Sequence, residues 1–184
     1  MQNVVFIHIP KTAGSSLRKA FSLVEDRVNF RRISTANGID AQQWLDSYTF
    51  CVIRNPYDRA VSSYHYHVKT DYQGQLMPRH RDLKTYSFEQ YLELRTKHNE
   101  FLLMPQVNFI HRRDGLSNVK KIFRFENLQQ GIDEISKDIG VKLVLEHLNS
   151  SPRPKNYQSF YDDTTYEMVS EIYADDIKTF NYEF

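Results

Sequence analysis

Residues 4–16, VVFIHIPKTAGSS, pass without a break from a run of apolar, β-favouring side chains into a turn of small and hydroxylated ones led by a lysine. A continuous apolar run without alternation suits a strand covered on both faces, the situation of a strand inside a parallel sheet. Leu17, Ala20, Phe21 and Val24 then recur at helical spacing, so the chain opens with strand, loop and helix. This one unit restricts the fold more than any other feature.

The pattern returns along the chain. TFCVI (49–53) reads as a second strand, followed by Asn55 as N-cap and Pro56 at the first helical position, with DRAVSSYHYH continuing the helix. Ser87 with Gln90 three residues on forms a capping-box pattern ahead of a face made by Phe88, Tyr91 and Leu92. VKKIFRF (119–125) reads as a third strand, and Leu128, Ile132, Ile135 and Ile139 mark an amphipathic helix ended by Gly140. One last helix carries Tyr166, Val169, Tyr173, Ile177 and Phe180 on a single stripe. Strands alternating with helices predict an α/β domain with a central, mainly parallel sheet, whose ligands sit at the carboxyl ends of the strands. Both unusual loops lie at such ends.

With 184 residues, 40% of them hydrophobic, the chain can bury one core, and a single domain over 1–184 is expected. A net charge of +1, from 24 basic and 23 acidic residues, argues against a nucleic-acid binder, which needs a basic excess to neutralise phosphates. The single cysteine, Cys51, lies in an apolar segment, as a buried thiol of a reducing compartment would. No run approaches the ~18 apolar residues of a membrane span, and MQNVVFIHIP lacks the pattern of a secretory signal. A cytoplasmic protein is expected. Residues 68–84 are polar and turn-rich enough for an irregular excursion.

A helix N-terminus offers unpaired N–H groups and partial positive charge, so a small-residue turn leading into one can seat a phosphate or sulfate. In PKTAGSS, Ala13 and Gly14 allow close backbone approach, Thr12, Ser15 and Ser16 add hydroxyls, and Lys11 adds a full charge. The same residues also read as a plain strand-to-helix turn, capped by Ser15 or Ser16, with Lys11 solvated. The nucleotide loop GxxxxGK[ST] places its lysine late, beside the hydroxyl that holds magnesium; here the lysine comes first and no glycine precedes it. At the second junction Arg54 ends a strand, and Ser62 lies two helical turns on, on the face of Asp58, Arg59 and Tyr66. Two anion sites at neighbouring strand ends suit one doubly charged ligand.

VVFIHIPKTAGSSLRKAF resembles the 5'-phosphosulfate loop of the sulfotransferases that use 3'-phosphoadenosine 5'-phosphosulfate (PAPS), and FCVIRNPYDRAVSSY resembles their 3'-phosphate segment. The likeness is to the carbohydrate sulfotransferases, the heparan sulfate 2-O-sulfotransferases and small bacterial members among them. KKIFRFENL and the segment from HLNSSPRPKNY to the last residue are similar to the bacterial members, while residues 65–118 match least. The resemblance implies a P-loop-like three-layer fold. It assigns Lys11, Thr12, Ala13, Gly14, Ser15 and Ser16 to the 5'-phosphosulfate, and Arg54 and Ser62 to the 3'-phosphate. Lys11 is the residue expected to stabilise the departing phosphate. Arg153 and Lys155 correspond to a loop that covers the nucleotide, and read equally as a solvated, proline-stiffened linker. No metal is expected.

An acceptor hydroxyl needs a base within reach of its proton. No histidine lies between Arg18 and Cys51; the acids there, Glu25, Asp26, Asp40 and Asp46, read as surface or capping charges, and Glu126 as a loop brace. His8, just before the first loop, and His65, three residues past Ser62, are the candidates, each of which also reads as a packed side chain. A protein that binds the nucleotide without turning it over is the rival reading; a kinase would need ATP and magnesium. Tyr64, Tyr66, Tyr72, Arg79, His80, Arg81 and Lys84 could stack on and pair with an acidic saccharide, the expected acceptor, or form an ordinary protein interface.

Overall fold

The computed structural model describes residues 1–69, 85–98, 103–116, 119–146 and 156–184, and forms two compact units, one of residues 1–54 and 106–150, the other of 55–105 and 151–184. In the first unit β1 (Gln2–Ile7) leads into α1 (Gly14–Ser22), β2 (Val28–Ile33), α2 (Ala41–Asp46) and β3 (Tyr48–Ile53). The second unit supplies α3 (Pro56–Lys69) and α4 (Phe88–His98) before the chain returns to the first with α5 (Val107–Ile110), β4 (Lys121–Arg124) and α6 (Leu128–Ile139). It ends in the second with α7 (Asp163–Ile172) and α8 (Ala174–Phe180).

The four strands form one sheet in the order β2-β1-β3-β4, every pair parallel. One face carries Val4, Phe6, Phe50, Val52 and Phe123, closed by Leu17 and Phe21 of α1 and by Ile132, Ile135 and Ile139 of α6. Phe21 lies flat on Phe30 at 4.1 Å between centroids, and Phe6 stacks on Phe50 at 5.0 Å. Each such buried ring contributes roughly 2–3 kcal/mol relative to exposure. By strand parity the opposite face holds Val5, Ile7, Cys51 and Ile53, all buried. Helices thus flank a parallel sheet, the α/β architecture expected. The sequence of connections also creates a switch point: β1 passes to β2 on one side, and β3 sits on the other, so the carboxyl ends of β1 and β3 flank the place where open α/β sheets bind ligands.

Several expected local signals are present. Asn55 accepts from the Tyr57 N–H through Oδ1, Ser87 and Gln90 exchange the bonds of a capping box, and Gly140 takes the left-handed conformation past α6. Two readings need correction. β2 adds a fourth strand that the apolar pattern concealed, because an edge strand with Arg31 and Arg32 outward shows no continuous apolar run. The final helix is two helices, broken at Tyr173 (φ −114°, ψ 24°), although Val169, Tyr173 and Phe180 stay buried across the break. In the second unit Val169 and Tyr173 pack with Tyr57, Ala60 and Val61 of α3 and with Phe88, Tyr91 and Leu92 of α4.

Candidate functional site

The turn between β1 and α1 has an unusual backbone. Lys11 and Ala13 both take positive φ of 69°, with Thr12 between them and helical Gly14 after them in ordinary negative φ. A left-handed non-glycine residue costs roughly 1–2 kcal/mol, so two of them one residue apart are strain that the surroundings must hold. Left-handed residues set among ordinary ones are the backbone pattern from which anion nests are built, and this turn leads directly into the N-terminus of α1. Ala13, the N-cap, has no side-chain acceptor for the first-turn N–H groups.

Side chains around the turn divide in two. Thr12 is fully buried and its hydroxyl donates to the Ile9 carbonyl at 2.8 Å, so its Oγ1 braces the loop from within. Ser16 is buried, while Ser15 is exposed and Lys11 and Ala13 half-buried. Gly14 is needed for space: a Cβ there would fall 2.0 Å from His8 Nε2 and 2.1 Å from its Cδ2. His8 continues the β1–β2 ladder through its N–H to the Ile33 carbonyl, and its Nδ1 lies 3.3 Å from Arg32 Nη1. Burial first, then the cations Arg32 and Arg18, pull the imidazole down to a pKa of about 4.

Arg54 stands across the switch point, at the end of β3. Its Nη1 donates to the Lys11 carbonyl at 3.0 Å, and its guanidinium lies 4.0 Å over the Phe125 ring. Gln106 fixes its main chain from both sides, accepting from the Arg54 N–H at 2.9 Å and donating to its carbonyl at 2.8 Å. Lys11 and Arg54 are therefore brought together. Neither Gln106 nor Phe125 carried a signal in the sequence, since each acts only through contacts set by the fold.

Ser62 and His65 belong to the second unit, both buried on α3. His65 packs edge-on against Phe160, 4.8 Å between centroids. Neighbouring His67 meets the Tyr91 hydroxyl through Nδ1, and Ser63 meets the same hydroxyl at 2.9 Å. Arg59, buried below Tyr173, donates from Nη2 to the Met104 carbonyl at 2.6 Å. Arg153, Lys155, Tyr72, Arg79, His80, Arg81 and Lys84 lie outside the described residues. Among the described residues no helix is long and apolar enough to cross a membrane.

A loop after β2 completes the carboxyl edge of the first unit. Arg112 Nη1 donates to the carbonyls of Ala36 (2.6 Å) and Ile39 (3.2 Å), its guanidinium lies 4.8 Å from the Trp44 ring, and Nε and Nη2 pair with Asp114. Asn37 is tied to the same segment, donating to the His111 carbonyl and accepting from the Arg113 N–H.

A parallel sheet with a left-handed turn at the end of its first strand and an arginine at the end of the neighbouring one is an α/β domain of the class that places its ligands at the carboxyl ends of its strands. The family can be stated as well: the model of the Sulfotransferase family matches residues 1–183, and the chain belongs to that family. No curated protein matches it.

Proposed function

We propose that residues 1–184 act as one sulfotransferase domain that moves the sulfuryl group of PAPS to a hydroxyl or amine of a carbohydrate acceptor. The observation that carries the donor site is the backbone of Lys11 and Ala13, two strained non-glycine residues kept in positive φ while Arg54 holds the Lys11 carbonyl. That turn suits a phosphosulfate: its backbone leads straight into the N-terminus of α1, and it carries Lys11 as a cation. When bound, PAPS supplies an activated sulfuryl group on a phosphate leaving group. Lys11 neutralises the charge that develops on the departing phosphate, which binding alone would not require. The N–H groups of residues 13–16 orient the same anion, Ser15 and Ser16 add hydroxyl donors, and Arg54 selects the 3'-phosphate, to which the resemblance also assigns Ser62.

The carbohydrate acceptor rests on the resemblance of both junctions to the carbohydrate enzymes; of the two candidate histidines, His65 is the one to test as base, since Arg32 engages His8 Nδ1. Labelled-sulfate transfer from PAPS to a panel of glycans, phenols and lipids tests this reading. Transfer to glycans supports it, transfer to phenols or lipids alone replaces the acceptor, and silence with tight nucleotide binding favours the binding-protein rival.

A further inference from the structure

His8 meets three of the elements around the first loop, β1, β2 and α1. Its backbone extends β1 against β2, and its ring shares the side of β1 with Phe6, 5.7 Å away. The Nε2–Cδ2 edge fills the space that any side chain at Gly14 would need. Arginine can only donate, so the contact between Arg32 Nη1 and His8 Nδ1 makes Nδ1 the acceptor and leaves the ring proton on Nε2. Nε2 is the atom lying against the first residue of α1. The charged groups facing the ring are Arg32 from β2 and Arg18 from α1, both cations, and they oppose a second proton.

We propose that His8 is a positioning residue of the transfer site: a neutral imidazole, fixed in one tautomer by Arg32, that wedges Gly14 in place and presents Nε2–H to an anion seated on residues 11–16. This rests on the reading of that loop as the phosphosulfate seat. The role differs from that of a base, because Nδ1 is engaged and Nε2 carries a proton. It also accounts for a histidine that faces Arg32 and Arg18, where a protonated ring would be repelled.

The test pairs His8→Phe, which keeps bulk and removes the donor, with His8→Gln, whose amide can donate near the position of Nε2. Affinity for adenosine 3',5'-bisphosphate, measured by calorimetry, falls at least about tenfold in His8→Phe, the worth of one hydrogen bond to a charged acceptor, and returns to within about twofold in His8→Gln. Nitrogen NMR of the histidine side chains shows His8 protonated at Nε2, and Arg32→Met lets the tautomers mix; this readout stands even where a His8 variant fails to fold. Wild-type affinity in both His8 variants, an Nδ1-protonated ring, or a loss of turnover above about a thousandfold with unchanged affinity, as for a lost base, would each overturn the proposal. Arg54→Ala separates the two readings: if it leaves affinity unchanged, the nucleotide site itself is wrong, whereas a loss in Arg54→Ala without one in His8→Phe removes only the role of His8.

Discussion

The guanidinium of Arg54 donates to the backbone carbonyl of Lys11 at 3.0 Å, joining the ends of β3 and β1 across the switch point of the sheet. With Phe125 below the guanidinium and Gln106 on both sides of the main chain, Arg54 has little freedom to reorient. A planar fork can hold the Lys11 carbonyl on one edge and meet a phosphate on another, which a lysine cannot do. Arg54→Ala should therefore weaken binding of adenosine 3',5'-bisphosphate by more than about tenfold, or ~1.4 kcal/mol. Arg54→Lys should recover less than half of that free energy. Calorimetry against adenosine 5'-monophosphate provides the control, since that ligand should bind weakly to all three proteins.

The contact between Gly14 and His8 predicts a coupling. A methyl group at Gly14 would sit 2.0 Å from the imidazole Nε2, so Gly14→Ala forces the ring or the helix to move. Overpacking of this kind costs about 1–3 kcal/mol. Removing the ring should relieve it: Gly14→Ala on a His8→Ala background should cost at least about 1 kcal/mol less than on the wild type. Urea unfolding of the four proteins of this cycle measures the difference.

Strands β1 and β3 were legible because central parallel strands are apolar on both faces, and α6 because its stripe and Gly140 mark both its face and its end. Edge strand β2 was not, since water covers Arg31 and Arg32. The break at Tyr173 escaped notice because buried residues keep helical spacing through it. In the first loop the residue types were readable and their backbone was not: the positive φ falls on Lys11 and Ala13, while Gly14 is helical and answers to the His8 ring. Gln106 and Arg32 act at long sequence distance from the atoms they fix, and one sequence gives no sign of such pairs.

Lys11 should separate chemistry from binding. An ammonium group aimed at the leaving phosphate matters most when charge builds there. Lys11→Ala should lower kcat by at least about a hundredfold, within the range for a lost electrostatic donor, with a change in nucleotide affinity of less than about tenfold. Equal losses in single-turnover rate and affinity would give Lys11 a uniform binding role instead.

His8 makes stability depend on acid. Its pKa in the folded chain, about 4, lies below its ordinary value of 6.5, so the unfolded chain takes up the proton first as pH falls. The stability tied to neutral His8 is complete above about pH 6.5 and is lost progressively as pH falls toward 4, roughly 3 kcal/mol in all. His8→Gln lacks this loss. Urea melts between pH 7 and pH 4 should show the wild type falling more steeply than the variant, and parallel curves would contradict the assignment.

Arg112 organises the loop that follows β2, and its removal should be visible at Trp44, the single tryptophan of the chain. The guanidinium satisfies the Ala36 and Ile39 carbonyls together while its other edge meets Asp114, whose carboxyl it holds below the ordinary range. Arg112→Met keeps much of the bulk over Trp44 but leaves two carbonyls without their donor, and each such loss costs about 1–3 kcal/mol where water cannot replace it. A destabilisation of roughly 2–4 kcal/mol follows. Arg112→Lys should recover little of it, because one ammonium group cannot reach both carbonyls and Asp114 in the geometry of a planar fork. Trp44 emission should change in both variants at low denaturant, before global unfolding, if the loop from residue 34 to 39 loosens first. Emission that changes only with the main transition would mean that this loop and the sheet unfold as one.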